Sequence, residues 1–439
     1  MRPDTYMKSS NGQISIGGVD LQDLAKTYGT PLYVLDYHTL HQRMCRFQEA
    51  MASLHVPGQV MYAGKAFLCR AMAELVAREG LGLDVVSGGE LVTALTAGMD
   101  PQRIVFHGNV KTREEIRLAL THHVGEIVVD SLDELRRIDQ MARELGMVAS
   151  ILLRLTPGIE AHTHEFIRTG QFDSKFGFAL KEGIADEAVS VALDMSHVRL
   201  DGFHAHIGSQ ILEGEPFVAN AQALLAYSRS WWERARFWPR YLDLGGGFGV
   251  RYQPEDRPPE LESLLARVKD TLMEYTPEGA TPPELWLEPG RSIVSEAGCT
   301  LYTIEAVKHV VDEKVYVAVD GGMGDNIRPA LYQAKYAAEV AGKPENRPEQ
   351  VVTVAGRYCE SGDILIKDAL LRDPQVGDLL VVWGTGAYNY SMASTYNRVP
   401  RPAVVLVHDG DVSLWVERES WEDLMRQDRP LDLVTSLKA

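Results

Sequence analysis

From about residue 58 one unit recurs along the chain. A short β-branched or apolar run leads into a turn of small or polar residues, and a segment of helical period follows. The runs are Val60–Ala63, Leu83–Val86, Ile104–His107, Ile127–Asp130, Ile151–Leu155, Leu200–His206, Tyr241–Leu244 and Leu285–Glu288. Each has the length of a strand buried on both faces. Between them lie amphipathic segments: Leu135, Ile138, Ala142 and Leu145 recur on one helical face. Ser87–Glu90, Thr112–Glu115 and Ser131–Glu134 each offer a capping box directly after a strand. Eight such units predict an α/β fold, a closed (β/α)8 TIM-type barrel. An open doubly wound sheet would use the same strand count. The barrel is preferred because polar, chemically capable residues collect at the C-terminal ends of most strands, where barrel sites lie.

After about residue 300 the texture changes. LYTIEAVKHVV, KVYVAVDGG, QVVTVAG, DLLVVWG and PAVVLVHDGDVSLWV read as strands with turns between them. QISIGG and PLYVLD near the N-terminus have the same character. The expected organisation is a barrel over 38–298 and a mostly-β domain built from 299–439 and joined by 1–37.

A net charge of −17 argues against a basic face for phosphate backbones, so neither nucleic acid nor an anionic membrane surface is an expected partner. No apolar stretch approaches the ~18 residues of a membrane span. Cys45, Cys69, Cys299 and Cys359 show no CxxC spacing, which disfavours zinc or a disulfide framework. The expected setting is cytoplasmic.

The candidate chemistry follows the strand order. Lys65, in YAGKA, closes the first strand; partial burial there would lower its pKa and make it a carbonyl-trapping amine. A solvated loop lysine reads the same way in isolation. Gly245-Gly246-Gly247-Phe248-Gly249 follows the seventh strand, where bare backbone N–H groups can wrap a phosphate or simply turn tightly. Glu288-Pro289-Gly290-Arg291 follows the eighth and sets a carboxylate beside an arginine. His204 and His206 end the sixth strand on one side. They resemble a metal pair, but no further ligands complete a set, so no metal is expected. Cys359-Glu360-Ser361-Gly362-Asp363 lies in the β-rich half, where a neighbouring carboxylate suits a protonated thiol better than a thiolate.

The ordered series YAGKA, HAHIGSQ, GGGFG, EPGR and CESGD resembles the fold-type III pyridoxal-phosphate-dependent decarboxylases, which share a barrel and a C-terminal β domain. Within them it is most similar to the branch acting on diaminopimelate. HTHEFIRTG at 162–170, DSKFGF at 173–178, NIRPALY at 326–332 and GAYNYSMASTYN at 386–397 carry that closer likeness. The resemblance implies pyridoxal 5'-phosphate carried on Lys65, with Asp84 nearby and His206 stacked on the ring. It implies Ser209, Gly245, Gly246, Gly247, Pro289, Gly290 and Arg291 around the phosphate and ring, and Glu288 on the ring nitrogen. Arg291, Arg328 and Tyr332 would grip the substrate's distal carboxylate, and Glu360 its distal ammonium. Tyr388 would touch both cofactor and substrate, and Cys359 would donate the proton. In the family Cys359 and Glu360 reach the neighbouring subunit, which implies a homodimer with shared sites. The departures are Val110 in HGNVK where HGNNK is usual, the stretch Gly356-Arg357-Tyr358, and Asn389 and Thr395 in place of a glycine and an asparagine.

The expected reaction is decarboxylation of meso-2,6-diaminopimelate to L-lysine and carbon dioxide, the last step of lysine formation. Two alternatives are a related decarboxylase taking a carboxynorspermidine-like or carrier-bound acid, and a non-catalytic relative that binds the cofactor. The second would be expected to lack Lys65 or Cys359.

Overall fold

The computed structural model describes residues 2–159, 175–311 and 314–431. Of the motifs above, 162–170 and the start of 173–178 lie outside the described residues. Eight parallel strands form the expected ring: β1 (Gly58–Ala63), β2 (Gly82–Val85), β3 (Ile104–Phe106), β4 (Glu126–Val129), β5 (Ala149–Thr156), β6 (Val198–His204), β7 (Tyr241–Asp243) and β8 (Glu284–Leu287). The ring closes where β8 pairs with β1, Leu285 opposite Gly58. Strand counting left the open sheet available; this pairing decides for the barrel. Phe178–Ala179 adds a short parallel strand beside the end of β5.

Period-two alternation explains why this ring carries a site. Met61, Val105, Val128, Leu152 and Trp286 meet as one apolar layer inside the barrel. Two residues further along each strand come Ala63, His107, Asp130, Arg154 and Glu288. One step toward the C-terminal mouth therefore exchanges a dry plug for ionisable groups.

The helices start much as expected, with one difference. Thr112 and Glu115 form a complete reciprocal capping box. Ser87 and Ser131 accept the N–H of Glu90 and Glu134, but those carboxylates reach one residue further back, to the N–H of Val86 at 2.7 Å and of Asp130 at 3.3 Å. The strand-to-helix turn is thereby pinned at the residue just past the strand, where the site begins.

The second domain is a twisted sheet around the strand Gly298–His309, which pairs antiparallel with Leu32–Asp36, Val315–Val319 and Leu379–Trp383. Leu32–Asp36 also lies parallel to Ala403–His408, so the N-terminal segment becomes an inner strand of this sheet. A separate apolar cluster, including Leu32, Val34, Leu301, Val381, Trp383 and Val405, holds that seam. From Asp36 the chain enters the helix Tyr37–Ser53, whose Leu40, Met44 and Phe47 join the barrel's core.

Candidate active site

A cavity of about 680 Å³ opens at the C-terminal mouth of the barrel. Of the sequence-predicted residues, Lys65, His206, Ser209, Gly247, Glu288, Gly290, Arg291, Arg328, Tyr332 and Tyr388 line it. Asp84 is buried among the groups beneath its floor, and Gly245, Gly246 and Pro289 form turns behind the wall. Cys359 and Glu360 do not line it; both are exposed on a loop of the β domain.

Lys65 sits in a single 3-10 turn, Gly64–Ala66. The β domain grips this turn: the Tyr388 N–H donates to the Ala66 carbonyl at 2.7 Å, and Ser391 Oγ to the same oxygen at 3.2 Å. Tyr388 adopts φ of 65°, a left-handed conformation costly for a tyrosine and held here by that bond. The Pro289 carbonyl accepts the Ala63 N–H from the other side. The expectation that burial lowers the Lys65 pKa is overturned. Burial pulls it down, but Asp84 first, then Tyr388 and Glu288, outweigh that pull and the net shift is upward.

The floor is a set of carboxylates and imidazoles. His107 Nε2 lies 2.5 Å from Glu288 Oε1, and His204 Nε2 lies 3.3 Å from Glu288 Oε2. Burial presses the His107 imidazole down to about 3 and lowers His204 as well, so both rings are neutral. Burial alone would raise Glu288; His107 and His204 instead hold it well below the usual carboxylate range. Asp84 and Asp243 go the other way, pushed up by burial and then by the Glu288 charge. The floor therefore holds Glu288 ionised between two neutral imidazoles, with the raised carboxyls of Asp84 and Asp243 beside it. His107, His204, Asp243 and Glu288 bring four potential ligand atoms within 4.8 Å of one another. The sequence reading paired His204 with His206, whereas the structure groups it with His107, and the cluster acts as a hydrogen-bonded platform for Glu288.

His206 lies above that platform. The Gly246 N–H donates to His206 Nδ1 at 3.2 Å, which leaves the ring proton on Nε2. Burial, with Lys65 and Arg154 nearby, lowers its pKa well below the ordinary value, so a neutral flat ring faces the cavity. Gly246 is required at its place because a Cβ there would lie 2.2 Å from the Glu288 carbonyl oxygen. The glycine run thus joins the seventh and eighth strand ends as well as turning the chain.

Beyond Lys65 the cavity wall is cationic. Arg291 and Arg328 are both buried. Arg291 donates to Ser209 Oγ at 2.9 Å and to Tyr252 Oη at 3.0 Å. Arg328 donates to Tyr252 Oη at 3.2 Å and to Tyr336 Oη at 2.5 Å. Both guanidinium groups also lie over the Tyr388 ring, at 4.7 and 6.0 Å.

The Cys359 loop is built by Asp363. Its carboxylate accepts the N–H groups of Met323 and Tyr358, at 2.6 and 2.8 Å, and its carbonyl that of Gly356. Asp363 is therefore the brace of the loop. Cys359 N–H donates to Asn397 Oδ1 and Tyr396 Oη to Glu360 Oε1, at 3.2 and 2.6 Å.

The sequence reading did not single out His107, Arg154, Asp243 or Tyr252 as site residues. The first three fall at the inward position that follows an apolar one, a signal present in the sequence. Tyr252 lies on a loop and carries no such signal.

This assembly defines a class of protein. Residues 37–295 match the family model described as pyridoxal-dependent decarboxylase, pyridoxal binding domain. The chain is 48% identical to a diaminopimelate decarboxylase of Bacillus subtilis (strain 168), covering 97% of both chains. It is 43% identical to that of Staphylococcus aureus (strain COL), covering 97% of this chain and 99% of the other. A crystal structure of diaminopimelate decarboxylase from M. jannaschii in co-complex with L-lysine superposes with a TM-score of 0.92 at 36% identity, over 98% of this chain and 99% of that one. The chain belongs to the diaminopimelate decarboxylase family of pyridoxal-dependent decarboxylases.

Proposed function

We propose that this chain carries pyridoxal 5'-phosphate on Lys65 and removes one carboxylate of meso-2,6-diaminopimelate, giving L-lysine and carbon dioxide. The observation that carries the substrate reading is the pair Arg291 and Arg328 in the cavity that holds Lys65. Both are buried and, among the described residues, neither forms an ion pair with a carboxylate. Such cations favour an anionic partner. Diaminopimelate brings a distal carboxylate; ornithine does not, and would leave both charges uncompensated.

The buried polar atoms suit the cofactor. Asp84 Oδ1, His204 Nδ1, Asp243 Oδ2 and Arg291 Nε are buried around the cavity without a hydrogen-bond partner. Groups so placed are matched to a polar aromatic ring and its phosphate. Ser209, Gly247, Gly290 and Arg291 would hold the phosphate, His206 the ring face and Glu288 the ring nitrogen. When bound, the cofactor takes up the electron pair left by the departing carbon dioxide. Glu288 would keep a proton on the ring nitrogen, because His107 and His204 preserve its charge. Arg291, Arg328 and Tyr332 fix the distal carboxylate, and Tyr388 closes over the reacting end.

The proton returned to the substrate carbon would come from Cys359 Sγ, with Glu360 taking the distal ammonium. Both are exposed and outside their own chain's cavity. That supports a cytoplasmic homodimer in which each chain completes the other's site. The four cysteines are unpaired, as a reducing compartment favours. No helix among the described residues is long and apolar enough to cross a membrane.

The test is carbon dioxide release by the purified chain supplied with pyridoxal phosphate. The expected preference for meso-diaminopimelate over ornithine in kcat/KM is about 10²-fold or more. Equal rates would sink the substrate assignment.

A further inference from the structure

Tyr252 is the hub of the cationic wall. It follows the glycine loop, and its own N–H and that of Gln253 donate to Asp256 Oδ2 at 2.9 and 2.8 Å, which fixes the loop. Its hydroxyl oxygen accepts from Arg291 Nη1 at 3.0 Å and Arg328 Nη1 at 3.2 Å. Guanidinium N–H groups only donate, so these two bonds use both lone pairs of the phenol. Ser295 Oγ lies 2.9 Å from the same oxygen and 3.1 Å from the Gly384 carbonyl. Proton counting then has one solution for the neutral phenol: Tyr252 donates to Ser295, and Ser295 donates to Gly384.

We infer that Tyr252 is a positioning and specificity residue which holds Arg291 and Arg328 as one twin-cation clamp for the substrate's distal carboxylate. The inference deepens the substrate reading above and rests on it. Without the bridging oxygen two buried like charges would separate, and the clamp would lose its spacing. The same oxygen makes the clamp sensitive to pH. Burial would raise the phenol, but Arg328 and then Arg291 bring it down to about 8. The other titratable groups facing it are Tyr336, whose ring lies edge-on at 5.8 Å, Lys335 on the shared cavity wall and Asp256 on its own loop. Once Tyr252 loses its proton, phenolate and substrate carboxylate compete for the same two cations. Ser295 can then turn its proton to the phenolate, which strengthens the competitor. Carboxylate binding above about pH 8 must therefore return a proton to Tyr252.

The experiment uses cofactor-loaded enzyme and Tyr252→Phe. In the wild type KM for meso-diaminopimelate is expected to climb above about pH 8 while kcat holds. In Tyr252→Phe, KM is expected to rise about tenfold at neutral pH, to lose that alkaline climb, and to leave kcat within about twofold. The visible absorption of the bound cofactor should be unchanged, which separates a clamp defect from a cofactor defect. A second measurement needs no variant and no turnover: calorimetry of pimelate, the dicarboxylate without amino groups, in buffers of different ionisation heat. Proton uptake on binding is expected to grow through about pH 8. An unchanged KM and pH profile in Tyr252→Phe, or pimelate binding without proton uptake, would overturn the inference. Absence of any wild-type turnover of diaminopimelate would instead overturn the substrate reading.

Discussion

The barrel mouth and the Cys359 loop both carry groups fit for catalysis, and they are built in opposite ways. At the mouth Glu288, His107 and His204 are buried and braced by one another, and buried Arg291 is held by Ser209 and Tyr252. On the loop the backbone is braced, by Asp363, while Cys359 and Glu360 stand exposed. Burial at the mouth fixes charge states in advance: Glu288 ionised, His107 and His204 neutral. Exposure on the loop leaves its residues to be set by whatever surface they meet. The first half of the site is preorganised within one chain. The second is a braced loop whose proposed counterpart is a second copy of the chain.

The largest effect should come from the mouth. Lys65→Ala is expected to abolish decarboxylation, by roughly 10⁴-fold or more, because the residue proposed to carry the cofactor is gone. The visible absorption of the lysine-bound cofactor should vanish with it. Retained absorption and activity would show that the braced turn Gly64–Ala66 holds the lysine for some other purpose.

The next prediction strikes at the division between the halves. Cys359→Ala removes the proposed proton donor and should lower kcat by about 10²- to 10³-fold. If sites are shared, Lys65→Ala and Cys359→Ala chains mixed and allowed to exchange should recover activity, since one mouth of each mixed dimer pairs an intact Lys65 with an intact Cys359. At equal amounts about a quarter of the wild-type rate is expected from random pairing. No recovery, with exchange verified by mass, would mean that each loop serves its own chain.

The two regions also differ in how much of them the sequence discloses. The barrel announces itself through its period, and the same alternation points inward to Glu288 and His206. Continued two residues past the apolar layer, it reaches His107 and Arg154 as well, which stand outside the recognisable motifs and are marked by parity alone. The direction of the Lys65 shift was not legible, because it depends on how close Asp84 and Glu288 come across the barrel. Tyr252 was hidden for a related reason: its role arises from three side chains converging on one oxygen. For Cys359 the limit is different again. Its motif is visible in the chain, but its proposed destination is a second copy, which no intrachain pattern encodes.

The smallest prediction concerns the rim between a braced floor and open solvent. HGNVK departs from HGNNK at Val110, beside a strand end that feeds the site. Val110 is 70% exposed, whereas the next residue, Lys111, is buried with three partners: Glu134 Oε1 and the Val128 carbonyl at 2.6 Å, and the Gly108 carbonyl at 2.9 Å. The local network thus hangs on Lys111, and the residue at 110 stands outside it. Val110→Asn should change stability by no more than about 0.5 kcal/mol in thermal unfolding and kcat/KM by less than about twofold. A gain beyond about 1 kcal/mol would show that the third strand end needs an amide which Lys111 does not replace. Bracing would then extend further up the wall than the buried groups indicate, and the mouth and the loop would differ by degree alone.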